Sequence, residues 1–244
     1  MAMKYFLSFL LLPLLFTNQK QEKPLCKNAR FIIEQSVAYH DPAGEWKTAS
    51  LDLIIREPRV QVSDRFSNVA LDNETGAFSL ERNRGEHIST HLISPEGKAS
   101  TLLDNKPEND PDKIKAYRLQ PERNTNYREY YRFFYGLPMN LNSEQIHFKK
   151  IGEQTLNGQK LIAMDFELEK AMIAKTWRVF FSPEDYRVAG VQTMDKAEGE
   201  YLIFNGEAEL GQMKLPRFRH WYDSQEHTYL GSDILVSGKL LGDQ

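Results

Sequence analysis

Trp46-Lys47-Thr48-Ala49-Ser50-Leu51-Asp52-Leu53-Ile54-Ile55-Arg56 is where the rhythm of the chain changes. Before it, Ala29, Ile32, Ile33, Val37 and His40 recur at the spacing of one helical face. Within it, Ala49, Leu51, Leu53 and Ile55 point one way, and Ser50, Asp52 and Arg56 point the other. A period of about 3.6 gives way to a period of 2, which predicts a strand with one buried face. Asn28 is placed to cap the preceding helix, which is predicted to run to about Tyr39, and Asp41-Pro42-Ala43-Gly44 stops it.

The same alternation continues outward. Strands are predicted at Arg59 to Phe66, with Val60, Val62 and Phe66 on one side, at Ala77 to Arg82 and at His87 to Ile93. Asp72-Asn73-Glu74-Thr75-Gly76 and Arg84-Gly85-Glu86 supply the turns. Links this short cannot carry a parallel crossover, so the strands form an antiparallel meander. The second half resumes at Gln145 to Gly152 and Gln159 to Leu168, around the hairpin signal Leu156-Asn157-Gly158. Further strands are expected at Trp177 to Phe181, Tyr186 to Met194, Glu200 to Leu210, Lys214 to Tyr222 and Thr228 to Leu240.

Between the halves the rhythm breaks. Ser94 to Glu122 holds Pro95, Pro107, Pro111 and Pro121, which reads as an excursion with a short helix near Asp112 to Leu119. A second helix, Asn124 to Tyr135, carries Tyr127, Tyr130, Tyr131, Phe133, Phe134 and Tyr135 and stops at Gly136-Leu137-Pro138. Each ring gains about 1.5 to 3 kcal/mol on full burial, so something apolar must cover this helix. Two readings stay open: the helix is ordinary core, or Tyr127, Tyr130, Tyr131 and Phe134, joined by Trp177 and Trp221, form the wall or lid of a ligand cavity.

Lys4 and the apolar run from Tyr5 to Phe16 have the layout of a secretory signal, and 12 residues are too few for the roughly 20 of a spanning helix. Residues 1–20 are therefore expected to be a signal peptide, 21–27 a flexible leader and 28–244 a single domain with a helical insertion at about 94–138. The expected location is the periplasm or outer envelope. Cys26 is the single cysteine, so no internal disulfide forms. Lys23-Pro24-Leu25 before it lacks the small residues of a lipidation signal, and an unmodified thiol is expected. A net charge of -3, with both signs interleaved, excludes the basic stripe of a nucleic-acid binder.

Few residues suggest chemistry. His87 and His91 lie about 13 Å apart along one strand face, too far to share a metal. His40-Asp41 has the composition of a base and its orienting carboxylate, but helix capping accounts for it more simply. Arg217, Arg219 and Trp221 alternate onto one face, where the arginines could meet an anionic headgroup or pair across strands with Glu207, Glu209 or Asp233. The motifs of nucleophile elbows, zinc proteases and phosphate loops are missing, so neither a metal nor a cofactor is expected.

Ala38-Tyr39-His40-Asp41-Pro42-Ala43-Gly44-Glu45-Trp46, Phe134-Tyr135-Gly136-Leu137-Pro138-Met139 and Tyr229-Leu230-Gly231-Ser232-Asp233 resemble segments of a family of uncharacterised exported proteins of Bacteroidota. The order of elements is similar to that of the LolA and LolB lipoprotein carriers. That resemblance implies an α+β fold: a strongly curved antiparallel sheet, an open half-barrel of about ten strands, wrapping two or three helices. It also implies a binding or carrier function for an apolar small molecule, a lipid or an acylated protein, with a membrane surface or envelope protein as a further partner and a monomeric state. The competing expectations are an envelope interaction module without a cavity and a hydrolase using His40 or His220.

Overall fold

The computed structural model describes residues 28–142, 146–195 and 199–242. The predicted signal peptide, the leader and Cys26 lie outside the described residues. Helix α1 (Ala29–His40) is followed by five strands: β1 (Ser50–Glu57), β2 (Arg65–Asp72), β3 (Phe78–Arg84), β4 (His87–Ile93) and β5 (Ala99–Leu103). Helices α2 (Pro111–Ala116) and α3 (Glu122–Tyr135) come next. The second strand series is β6 (Ile146–Leu156), β7 (Gln159–Leu168), β8 (Thr176–Phe181), β9 (Val188–Thr193), β10 (Glu200–Leu210), β11 (Met213–Asp223) and β12 (Tyr229–Leu240).

All twelve strands form one sheet in the order β5-β4-β3-β2-β1-β12-β11-β10-β9-β8-β7-β6. Every pairing is antiparallel, and β12 joins the two meanders by pairing with β1. The sheet is strongly curled. Phe133 of α3 lies 6.3 Å from Phe166 of β7, while Tyr131 of the same helix lies 6.2 Å from Phe78 of β3. Laid flat at about 4.8 Å per strand, β3 and β7 would stand roughly 38 Å apart, and no single helix could reach both. The result is an α+β half-barrel whose concave face holds α3. Among the described residues its edges, β5 and β6, do not pair with each other.

Local chemistry explains the pieces. Asn28 Oδ1 accepts from the Phe31 amide at 3.2 Å and caps α1, whose Ile32, Ile33, Ser36 and His40 are buried. Leu51, Leu53, Ile55, Val69, Leu71, Phe78 and Leu80 project from alternate positions of β1, β2 and β3 into the core. Asn157 and Gly158 both take positive φ in the β6–β7 hairpin, as its two-residue turn requires.

Two expectations need correction. Of the strand expected at Arg59 to Phe66 only Arg65 and Phe66 lie in one, as the start of β2, and Val60, Val62 and Phe66 are 61%, 65% and 53% exposed. Pro58 offers no amide to a ladder, and the chain leaves the sheet there, held by an isolated bridge from Arg59 to Gly231. The Ser94 to Glu122 excursion also contains β5, whose Ser100 and Thr101 pair with Leu92 and His91. The sheet therefore has twelve strands where about ten were expected.

His40 is a staple between elements. Its Nδ1–H donates to the Lys214 carbonyl at 2.5 Å and its Nε2 accepts from the Val188 amide at 3.0 Å, which fixes the neutral tautomer. Burial lowers its pKa from the ordinary histidine value. The unfolded chain therefore takes up the proton more readily, and this contribution to stability is full above about pH 6.5 and lost as pH falls. His40→Phe is expected to lower stability at pH 7.5 by about 2 kcal/mol, since a buried donor and acceptor lose their partners. Urea unfolding at pH 7.5 and 5.5 should also find less pH dependence in the variant; an equal acid loss in both proteins would contradict this role.

Candidate functional site

Alternation carries charge into the concave face at one end of the sheet. Continuing the buried positions of β1 leads from Leu51, Leu53 and Ile55 to Glu57; those of β2 lead back from Leu71 and Val69 to Ser67 and Arg65; those of β3 lead from Leu80 to Arg82 and Arg84. The register sets Glu57 opposite Arg65 and Ser67 opposite Arg82. Glu57, 4% exposed at its side chain, is contacted by Arg65 at 2.6 Å, Arg82 at 2.9 Å, Arg59 at 3.3 Å and the Ser67 hydroxyl at 2.6 Å. Burial alone would raise the Glu57 pKa, but the Arg82 and Arg65 guanidiniums outweigh it and hold the carboxyl below its usual range.

A second carboxylate extends the network across the sheet. Asp233 of β12 receives Arg59 Nη2 at 2.5 Å, the Trp221 indole N–H at 3.0 Å and the Tyr130 hydroxyl at 3.4 Å. Arg59 also donates to the Ser232 carbonyl, and Arg82 donates to the Tyr131 hydroxyl. Charge is not balanced locally. Arg59, Arg65 and Arg82 share Glu57 and Asp233, and among the described residues Arg84 has no carboxylate, only the Tyr127 hydroxyl at 3.4 Å.

Two clefts open beside this network. The first, about 270 Å³, runs between Glu57, Arg65 and Arg82 of the sheet, Tyr127 and Tyr130 of α3, and Met172 and Ile173 of the β7–β8 connection. The second, about 260 Å³, is lined by Arg59, Arg65, Tyr130, Glu200, Trp221 and Leu230. Arg65 and Tyr130 line both and so form the partition between them. Burial raises the Glu200 pKa, which Arg59 opposes and Asp223 reinforces.

Tyr127, Tyr130 and Trp221 thus line the clefts. Tyr131, Phe134 and Trp177 do not: they are 2%, 1% and 0% exposed and pack on rings of their own chain, Phe134 lying 5.7 Å from Trp177. Arg217 and Arg219 are not brought together either. The β10–β11 pairing skips Gly206, which has positive φ, and Arg217 but keeps one register on either side; Arg217 is exposed and Arg219 fully buried. The Arg219 guanidinium lies 3.7 Å from the centre of the Tyr135 ring, and the Asp233 opposite it in register pairs with Arg59 instead. Arg59, Arg65, Arg82 and Glu57 are the site residues missed from sequence.

The histidines are committed elsewhere. With both ring nitrogens of His40 engaged, and Asp41 accepting from the Glu45 and Trp46 amides, that pair offers no free base. His91 donates through Nδ1 to Asn124 Oδ1 at 2.9 Å, and burial pushes its pKa down to about 4. His220 meets the Ser232 hydroxyl at 2.7 Å on the sheet face opposite Asp233. Among the described residues no cluster could hold a metal ion.

With this geometry established, comparison with known proteins gives a family. Residues 4–238 match the model of a family described as "Family of unknown function (DUF6503)". The chain belongs to this family. A search of curated proteins finds no match. Among solved structures, a DUF1329 family protein from Desulfovibrio piger is similar with a TM-score of 0.50 and 8% identity, over 88% of this chain and 94% of that one. A LolA superfamily protein from Nitrosomonas europaea has a TM-score of 0.46 and 9% identity, over the same shares of the two chains. At such identity the first likeness is one of fold.

Of the three stretches quoted from the sequence, the first two meet each other and the third shapes the path of Arg59. Trp46 packs over Gly136 while its indole N–H donates to Asn140 Oδ1 at 2.9 Å. Gly231, at φ 151°, lets Arg59 cross β12: a Cβ there would stand 2.5 Å from the Pro58 carbonyl and 2.8 Å from Arg59 Cδ. Arg59 can then reach Asp233.

Proposed function

We propose that this protein is an envelope binding or carrier protein that takes an amphipathic molecule, a lipid or the acyl group of a partner protein, at the open end of its half-barrel. The observation that carries the reading is the pair of clefts meeting at Arg65 and Tyr130, where guanidiniums face aromatic and aliphatic side chains. Tyr127, Tyr130 and Trp221, with Met172, Ile173 and Leu230, supply the apolar contact. Each methylene they cover contributes about 0.8 kcal/mol.

Each cleft is slightly smaller than the roughly 300 Å³ at which pockets for drug-sized ligands begin, so neither is a tunnel for a whole acyl chain. A headgroup and the first part of a tail suit this space. Val60, whose amide donates to the carbonyl of the cleft-lining Leu230, and Val62 are exposed on the loop that carries Arg59. The packing of Tyr131, Phe134 and Trp177 favours a second reading, an interaction module with a filled interior.

Native mass spectrometry of protein purified without detergent is expected to reveal a species heavier than the polypeptide by the mass of an extractable amphiphile. Added decanoate, decyl phosphate or decanol should raise Tm, since ligands that bind only the folded state stabilise it. Polypeptide mass alone, with no shift from any of the three, would leave only the interaction module.

A further inference from the structure

We propose that Arg65 is the headgroup residue of this site: it receives an oxyanion, a carboxylate or a phosphate, on the incoming amphiphile by releasing Glu57. The inference rests on the binding function proposed above and adds the chemical class of the ligand and the side chain that selects it.

The argument is one of unequal commitments. Arg82 is 8% exposed and is held by Glu57, Ser67 and Tyr131. Arg59 is 16% exposed and is held by Asp233, the Ser232 carbonyl and Glu57. Arg65 is 31% exposed and has Glu57 as its one ion-pair partner among the described residues. Its Nε is buried without a hydrogen-bond partner, and its side chain lines both clefts. A buried donor left unpaired is costly, and once Arg65 swings away from Glu57 a ligand oxygen can reach and satisfy it.

Glu57 can release Arg65 without being stranded, because Arg82, Ser67 and Arg59 remain around it. The surrounding charge favours the exchange, since Arg59, Arg65, Arg82 and Arg84 outnumber Glu57, Asp233 and the Glu200 that lines the second cleft. Arg84 projects from the same face of β3 as Arg82, its Nε is also buried and unpartnered, and no carboxylate among the described residues balances it. An incoming oxyanion adds the missing negative charge, and the planar guanidinium presents two parallel donors to a carboxylate or phosphate. Arg217, exposed on β11 and absent from the lining of either cleft, has no such role.

Three ten-carbon probes differing only in the head separate these claims when titrated into the full mature chain, with Trp221 fluorescence or calorimetry as the readout. Decanoate and decyl phosphate are expected to bind the natural protein at least tenfold more tightly than decanol. R65Q should weaken both anions about tenfold or more and leave decanol unchanged; R217Q should change nothing. R65K, which keeps the charge and loses the fork, is expected to retain more affinity for decyl phosphate than for decanoate, and the tighter anion identifies the headgroup. A melting curve of R65Q near that of the natural protein confirms folding; if R65Q is unfolded, R65K carries the same comparison. Equal binding of decanol and the anions, or anion binding indifferent to R65Q and R65K, would overturn the role of Arg65 while leaving amphiphile binding intact. Binding of none of the three would remove both.

Discussion

Glu57→Gln is expected to destabilise the protein by about 3 to 5 kcal/mol at pH 7, the usual result of removing one partner from a buried ion pair. Glutamine keeps the size of the side chain and one acceptor oxygen but not the charge. Arg59, Arg65 and Arg82 would then converge on a neutral group, with Asp233 the remaining carboxylate of the network. For a chain of this size each kcal/mol moves Tm by about 2 to 4 °C, so a fall of roughly 10 °C is expected. The claim concerns breaking the network; an apolar replacement of the whole cluster is a different comparison and can be neutral.

The pH dependence gives this expectation a second handle. Because the Glu57 pKa is held below its ordinary value, its contribution is full above about pH 4.5 and disappears as pH falls through the folded value. The difference in Tm between the natural protein and E57Q should therefore shrink on acidification below pH 4.5. That window opens on acidification at a lower pH than the one set by His40, which opens at about pH 6.5. Calorimetry at pH 7 and pH 4 tests both parts; a variant that melts within 2 °C of the natural protein at pH 7, or a difference that ignores pH, would deny Glu57 its place at the centre of the site.

The fold was legible where local pattern and tertiary environment agree. Asn28 as a cap, the rings of α3, Asn157-Gly158 and the alternation through Leu51, Leu53 and Ile55 are each specified within a few residues, and each has its expected structural place. The site was legible in principle by the same rule. Period 2 applied one step further puts Glu57, Arg65 and Arg82 on the buried face, an arrangement stable only because adjacent strands supply opposite charges in register. Counting Val60 and Val62 as core, with Pro58 between them and β1, hid that continuation. Arg219 was beyond such reading, since its cover comes from Tyr135, 84 positions earlier in the chain and brought there by the curl of the sheet. Strict alternation also placed Arg217 with Arg219, whereas in β11 Pro216 is buried and Arg217 exposed.

Gly136→Ala is expected to cost about 3 kcal/mol or more, from a single added methyl group. The backbone of Gly136 is ordinary, with φ -95°, so the requirement is for space rather than for an unusual conformation. A Cβ would lie 2.1 Å from Asn140 Nδ2, 2.3 Å from Trp46 Cζ2 and 2.5 Å from the Arg132 carbonyl oxygen. None of these neighbours can yield freely. Asn140 Nδ2 donates to the Arg132 carbonyl at 2.6 Å and closes the end of α3, its Oδ1 takes the Trp46 indole N–H, and Trp46 is 4% exposed in the core. Relieving the clash means parting α3 from Trp46, so overpacking is compounded by lost hydrogen bonds and by exposure of an aromatic ring. The same substitution at Gly152 of β6, where a Cβ meets nothing within 4 Å, is the matched control and should leave stability within about 1 kcal/mol or raise it. Thermal melts of the two variants are expected to differ by roughly 10 °C. Similar melting of G136A and G152A would mean that Trp46, Asn140 and α3 do not lock together as described, and the anchoring of α3 over the clefts would need another explanation.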